Sequence, residues 1–358
     1  VYRKFISEKR RSITTPQNLV DKNGRCVFGT FDKEFEKMDL LKAKKPTHAP
    51  QAMNRFKLTL WQATEIFFEN GILLSAVCDM GVLGKILNVF YDKRTNKTYC
   101  FNTNLKSKDT IIAPNLLRNS IIEATTKDGF VKYVNDLGNG RCSLSGSHKN
   151  KEGLTLEYDF QLSRISKPSI VSIPFDDNRP LYSQKDFLKA EGKLIFNGEE
   201  MITDKNTVAI TDDHRGYYPR HTHYDWITTM GRNEVNGESK YFALNLTHNQ
   251  SIDPEAYNEN LIWFQKDISI LPPVKFTKNI ESKNFKEGTI WTIKDEHDMV
   301  NLQFKLSDIY GMIKHAVIVN IDYYIAFGLL NGYVRDETGN KYILDGMPAM
   351  GEDKTLLF

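Results

Sequence analysis

The sequence predicts an all-β chain of antiparallel barrels or sandwiches with few short helices, and three observations carry that expectation. Apolar residues recur mainly with a period of two, as in Phe56, Leu58 and Leu60 alternating with Lys57, Thr59 and Trp61. Gly and Asn turn signals break the apolar runs at short intervals, and stretches with helical periodicity are scarce. Barrels suit such a chain because closure removes exposed sheet edges and encloses space for a small ligand.

Taken in order, residues 1–50 read as an N-terminal extended segment, with a short helix expected in "FDKEFEKMDLLKAKK". The basic opening of Arg3, Lys4, Lys9, Arg10 and Arg11 reads as a solvated arm. A first β-domain is expected over 51–165. It opens with "GILLSAVCDMGVLGKILNVFYDKRTNKTYCF", whose strands break at Gly81 and Gly84 and turn at Lys93 to Asn96, and continues through "GFVKYV", "GRCSLSGS" and "GLTLEYDFQLSRI". Prolines and turn formers concentrate in "SRISKPSIVSIPFDDNRPLYS", so 166–185 is expected to connect two β-halves. The second β-domain, 186–358, carries "GKLIFNG", "KYFALNLTH", "NLIWFQ", "GTIWTIK" and a closing hairpin around Asp336 to Asn340. "SQKDFLKAEG" at its start is expected to form another short helix.

Composition narrows the partners. With 358 residues, 40% of them hydrophobic, the chain can bury a sizeable core in one large or two medium domains. Its 48 basic and 45 acidic residues nearly cancel to +3, so no nucleic-acid partner is expected. Cys26, Cys78, Cys100 and Cys142 include no C-x-x-C pair and read as free thiols in a reducing compartment. No apolar run is long enough to span a bilayer. An intracellular setting is favoured, cytoplasmic or, if a targeting segment has been removed, in an organelle such as the mitochondrion.

The richest stretch is "DDHRGYYPRHTHYDWITTMG", residues 212–231. If "RHTHYDWITTM" within it runs as a strand, His221, His223 and Asp225 share one face while Tyr224 and Trp226 share the other. An H-x-H pair can place two imidazoles on one metal ion, but spacing identifies no third ligand. Neither a metal nor another cofactor is therefore expected. No G-x-S-x-G elbow and no phosphate loop or dinucleotide fingerprint is present. What remains suits acid-base work: Asp213 and Arg215 can form a forked pair, and His221 or His223 can exchange protons near neutral pH. The same Asp-Arg pair can equally well lock a turn ahead of the strand.

The order "RPLYSQKDFLKAEGKLIFNGE", "DDHRGYYPRHTHYDW", "GESKYFALNLTHN" and "YNENLIWFQKDISILPPVKF" resembles domain-of-unknown-function family 2804, and the N-terminal blocks fit the same family in order. Its family-like positions are Ser183, Lys185, Gly192, Arg215, Gly216, Trp226, Asn245 and the Asn258-Glu259-Asn260 triplet, with Gly346, Gly351 and Glu352 near the end. Where the family carries a first tryptophan after Arg-Gly, this chain has Tyr224. More remotely, the layout is similar to the hydroxyneurosporene synthase and tocopherol cyclase group. That resemblance implies paired lipocalin-like β-domains and isoprenoid chemistry begun by protonating an alkene in an apolar cavity.

These readings together imply an uncharacterised lipocalin-like protein that binds a small lipophilic molecule of lipid or isoprenoid type. Hydratase, cyclase or isomerase chemistry by proton transfer is the activity the resemblance implies, and the residues leave open whether the chain is an enzyme. Expected proton-handling groups are Asp213, His221, His223 and Glu259. Lys185, Arg215, Asn245 and Asn260 are expected to position polar ends, with Tyr224, Trp226 and Trp263 shaping the cavity. The alternative is a non-catalytic subunit docking onto protein partners in a larger assembly, for which the long loop "NTNLKSKDTIIAPNLLRNS" would serve.

Overall fold

The computed structural model describes residues 1–5, 10–235, 237–315 and 320–357. It is all-β, with 60% strand and 6% helix in two curled antiparallel sheets. Two compact units divide the chain: an N-terminal unit of residues 11–94 and 99–218, and a C-terminal unit of residues 1–10, 95–98 and 219–358. Among the described residues no helix is long and apolar enough to cross a membrane.

In the N-terminal unit the antiparallel sheet runs in the order Leu83–Asp92, Gly71–Asp79, Thr59–Phe68, Val208–Gly216, Arg179–Phe196, Thr155–Arg164, Arg141–Lys149, Gly129–Asp136, Ser120–Thr126. Ile66, Leu73 and Phe90 from one end of that order share a core with Ile122, Val131 and Leu144 from the other, so the sheet curls around its own apolar face. The expected helix in "SQKDFLKAEG" is instead part of the 18-residue strand Arg179–Phe196. Residues 180–188 of that strand are all buried, so both of its faces are covered and the period-two signal is lost. Gly192 allows the strand to lie close to its neighbour: a Cβ there would stand 2.0 Å from the Asp159 carbonyl oxygen.

The segment expected to connect two halves also belongs inside this unit. Ser169–Asp176 pairs with Arg179–Phe196 as a hairpin, and the division between units falls after Tyr218. The other expected helix, "FDKEFEKMDLLKAKK", supplies only the 3-10 turn Leu40–Lys42. Its Phe31, Phe35, Met38 and Leu40 pack with Tyr182 and Tyr217 in a second core, so their helix-like spacing reflects irregular chain laid over a sheet. Each such ring buried contributes about 1.5–3 kcal/mol. The presumed docking loop, residues 102–120, contains the strand Thr103–Lys106 and buries Ala113 and Leu116 in the main core. All four cysteines are free, and burial pushes the Cys26 thiol up to about 12.

The C-terminal sheet runs Asp267–Ile270, Leu261–Phe264, Glu238–His248, His221–Val235, Met347–Leu357, Asn320–Arg335, Val300–His315, Ile290–Lys294, Lys275–Lys278. Ile227, Leu244, Trp291, Phe304 and Ala326 form its core. The closing hairpin turns at Asp336, whose Oδ1 accepts the Thr338 and Asn340 amides. The basic arm is only partly an arm. Arg3, Lys4 and Arg11 are exposed and Lys9 lies outside the described residues, but Arg10 is buried. Its guanidinium donates to the carbonyls of Leu271 at 2.6 Å and Asn260 at 2.8 Å. Burial pulls the Arg10 pKa down to about 9, against the pull of Glu337 and Glu259.

Candidate functional site

The strand Val208–Gly216 is buried along its whole length and presents different chemistry to each side. In register, Asp212 lies between Lys185 and Ala63, and His214 between Ser183 and Trp61. Asp213 lies between Gln184 and Gln62. Adjacent residues of a strand face opposite ways, so the two aspartates go to opposite faces.

Asp213 and Arg215 form the expected forked pair, with Nε to Oδ2 at 2.8 Å and Nη2 to Oδ1 at 3.2 Å. The third hydrogen bond, Nη1 to the Ala113 carbonyl at 2.7 Å, ties segment 102–120 to the strand. The side chains are 0% and 4% exposed, so the pair is sealed inside the N-terminal unit. Its geometry is that of a structural clamp.

On the opposite face four polar side chains meet. Lys185 Nζ donates to Asp212 Oδ2 at 2.5 Å. His214 Nε2 stands 2.9 Å from Ser183 Oγ, 3.1 Å from Asp212 Oδ1 and 3.4 Å from Lys185 Nζ. Aromatic rings wall the array: Trp61 lies 5.0 Å from the His214 ring and stacks on Tyr218 at 5.6 Å, with Phe175 beyond at 5.9 Å. Lys185 is 1% exposed, whereas Asp212 and His214 keep 11% and 10% of their side-chain surface. Asp212 and His214 are therefore the less covered members of the array, backed by a sealed ammonium, and Asp212 Oδ1 is itself buried. Although Ser, His and Asp meet here, this is not the nucleophilic triad arrangement. Serine and aspartate approach the same ring nitrogen, whereas a triad needs the acid on the other one to fix the tautomer. One imidazole nitrogen instead lies within 3.4 Å of a hydroxyl, a carboxylate oxygen and an ammonium, an arrangement suited to passing a proton. Two large cavities of the N-terminal unit, about 1080 Å³ beside Lys44, His48 and Arg179 and about 480 Å³ beside Thr15, Glu34 and Leu117, are lined by none of these residues.

The remaining expected site residues lie in the C-terminal unit. His221 is exposed at the start of its strand. His223 and Asp225 do share a face, with Nε2 3.4 Å from Oδ2, and Asp353 joins them across the strand pair. The possible ligand atoms of these three lie within 4.8 Å of one another, a spacing open to a metal ion. Lys278, however, donates its ammonium to both Asp225 and Asp353, so a metal ion would have to displace it. Hydrogen bonding to Asp225 holds His223 above its usual pKa in spite of burial. Burial opposes ionisation of Asp225, but the His223 hydrogen bond and the Lys278 charge hold it below the usual carboxylate range.

The other face of that strand carries Tyr224, whose hydroxyl donates to Glu352 at 2.8 Å while Tyr323 donates to the second carboxylate oxygen at 2.6 Å. Trp226 Nε1 donates to Asn245 at 2.7 Å, and Asn245 donates to the Glu259 carbonyl at 2.9 Å. Asn260 accepts the Thr247 amide at 2.7 Å and donates to the Pro272 carbonyl at 3.0 Å. Glu259 and Trp263 are buried. Asn245 and Asn260 thus bind the 249–260 loop to the sheet through their side-chain amides.

Over residues 10–358 the sequence matches the family described as domain of unknown function, DUF2804. The chain belongs to this family. Ser183 and Lys185, two of its DUF2804-like positions, both stand in the N-terminal array, and the match begins at the buried Arg10. No curated protein matches the sequence. Among solved structures it is similar to kievitone hydratase from Nectria haematococca, at 11% identity and a TM-score of 0.48, covering 84% of this chain and 88% of that one. It is also similar to CghA crystallised with Sch210972, at 9% identity and a TM-score of 0.35, covering 83% of this chain and 88% of that one. These are distant likenesses of architecture.

Sequence reasoning missed Asp212 and His214 as a pair, together with Trp61. The signal was present: Ser183-x-Lys185 on one strand and Asp212-x-His214 on another place four polar groups on matching alternate positions.

Proposed function

We propose that this protein holds a small lipophilic molecule and moves a proton on it, in a hydratase, cyclase or isomerase type of reaction, at the Ser183, Lys185, Asp212 and His214 array. One observation carries this reading: three polar groups converge on His214 Nε2 beside the stacked rings of Trp61 and Tyr218. Titratable groups clustered at the edge of a buried apolar wall are a recurrent mark of acid-base sites. An apolar body lying on the rings would leave its polar end against Asp212 and His214, and ring contacts add about 0.5–1.5 kcal/mol beyond area burial. The proton-handling role thereby passes from Asp213, which is sealed, to its neighbour.

Native mass spectrometry before and after organic extraction tests the proposal. Wild type should release a bound small molecule or take up added 2-tetralone, a lipophilic bicyclic ketone, and Trp61→Ala should retain much less. Equal retention by Trp61→Ala would overturn the placement. A wild-type chain that neither releases a molecule nor takes up 2-tetralone would overturn the function.

A further inference from the structure

We infer that Asp212 acts as a base, and that its substrate is a carbonyl compound with an acidic C–H beside the C=O rather than an unactivated alkene. This rests on the array being the site proposed above, and it names the substrate class that the geometry selects.

The argument begins behind the carboxylate. Lys185 is sealed at 1% exposure and bonded to Asp212 Oδ2, while the other carboxylate oxygen, Oδ1, is itself buried and faces His214 Nε2 at 3.1 Å. A buried ammonium keeps its charge only when a carboxylate answers it, and Asp212 is the carboxylate bonded to Lys185. Protonating an unactivated alkene requires the opposite, an acid held protonated by apolar surroundings without a cation beside it. The charged and titratable groups around Asp212 point the same way. Lys185 comes from the strand Arg179–Phe196, with the Ser183 hydroxyl, and His214 from its own strand. On the Thr59–Phe68 strand Trp61 pairs with His214, and the nearest acid on that face, Glu65, is paired with Ile210 two residues away.

The step closes without a further reactant. The C–H bond beside the carbonyl breaks and its proton passes to Asp212, directly or through His214 Nε2. The bond's electron pair becomes the C=C of an enolate as the C=O π pair moves onto oxygen. Return of the proton to the same carbon regenerates the carboxylate and the substrate, which is the exchange the test reads; where a C=C adjoins that carbon, the electron pair spreads along a dienolate and return of the proton to its far end yields the conjugated isomer. Asp212 is the catalytic residue in this scheme, and Lys185 a positioning residue that acts through it.

The test follows deuterium uptake beside the carbonyl of 2-tetralone in D2O by NMR across a pH series, with hydration of the isoprenoid alkene limonene as the contrast. Wild type should accelerate exchange over buffer roughly a hundredfold. Asp212→Asn should lose most of that acceleration while still binding 2-tetralone. In Lys185→Met the pH at which exchange fails on the acid side should move up by about one unit or more, because Asp212 without its ammonium takes a proton more readily. A merely structural lysine would not move that limb. If Lys185→Met does not fold, Asp212→Asn still decides. Hydration of limonene without tetralone exchange would overturn the inference and leave the proposed function standing, as would binding of 2-tetralone without exchange. Failure to bind 2-tetralone at all, with no molecule released on extraction, would overturn both.

Discussion

Lys185 in the N-terminal unit and Lys278 in the C-terminal unit each hold a carboxylate next to a histidine, but the groups that approach the two histidines differ. Lys185 is bonded to Asp212. Lys278 answers two, Asp225 and Asp353, and Ser282 donates a further hydrogen bond to Asp353 at 2.6 Å. With one negative charge in excess, the second group draws a proton onto His223, whose pKa is raised by its bond to Asp225. In the first group the histidine nitrogen stands instead within 3.4 Å of a hydroxyl, a carboxylate and an ammonium. Similar residues thus make a structural charge cluster in one unit and a candidate proton-transfer array in the other, and what approaches the histidine separates them.

Removing the lysine from the crowded cluster should give the largest effect. Lys278→Met leaves two adjacent carboxylates, 7% and 4% exposed, without their shared cation. Breaking a buried pair in this way costs about 3–5 kcal/mol, seen as a lower urea midpoint for the C-terminal unit. Adding Asp353→Asn should recover a substantial part, because Asp225 then faces His223 with no second carboxylate beside it. An unchanged midpoint in Lys278→Met would break the comparison, since it would mean that the two acids do not need the ammonium.

A second, smaller effect is a pH window. His223, held above its usual range, contributes stability that is complete below the unfolded imidazole range and is lost as pH rises through its raised folded value. Asp225, held below its usual range, contributes stability that is complete above the unfolded carboxylate range and is lost as pH falls through its depressed folded value. Both contributions are complete together between about pH 4 and 6.5. Asp225→Asn should flatten the melting temperature on both sides of that window relative to wild type. Parallel curves for the two proteins would show that His223 and Asp225 are not coupled.

The sequence made the strands legible where one face meets water. It failed where both faces are buried: along Arg179–Phe196 the covered stretch hides alternation, and "SQKDFLKAEG" then reads by propensity as a helix. In "HTHYDW" the alternation correctly put His223 and Asp225 on one face, but Asp353 and Lys278 come from distant strands that no spacing rule reaches. Asp212 and Asp213 show the limit most clearly. Alternation says that two adjacent aspartates part company, yet only the fold decides which one meets Arg215 in the core and which meets Lys185. Arg10 adds a different failure, because a buried guanidinium held at its two Nη atoms by main-chain carbonyls leaves no pattern in a run of basic residues.

The finest test of the comparison uses two hydroxyls. Ser183 Oγ stands 2.9 Å from His214 Nε2, and Thr355 Oγ1 stands 2.9 Å from His223 Nδ1. Their distances match, so their contributions should differ only through burial. Ser183 is 1% exposed and removing its hydroxyl leaves the ring nitrogen with one partner fewer where water does not easily replace it. Thr355 is half-buried and its histidine side chain is 39% exposed, so water can take the place of the lost hydroxyl. Ser183→Ala should therefore cost about 0.5–1.5 kcal/mol, and Thr355→Val, which keeps the shape, should cost less than about 0.5 kcal/mol. Thermal melts of the two single variants and their double would measure both costs and check that they add, as sites in separate units should. A larger loss from Thr355→Val would reverse the order that burial dictates, and the array around His214 would then have no claim to be the better desolvated of the two.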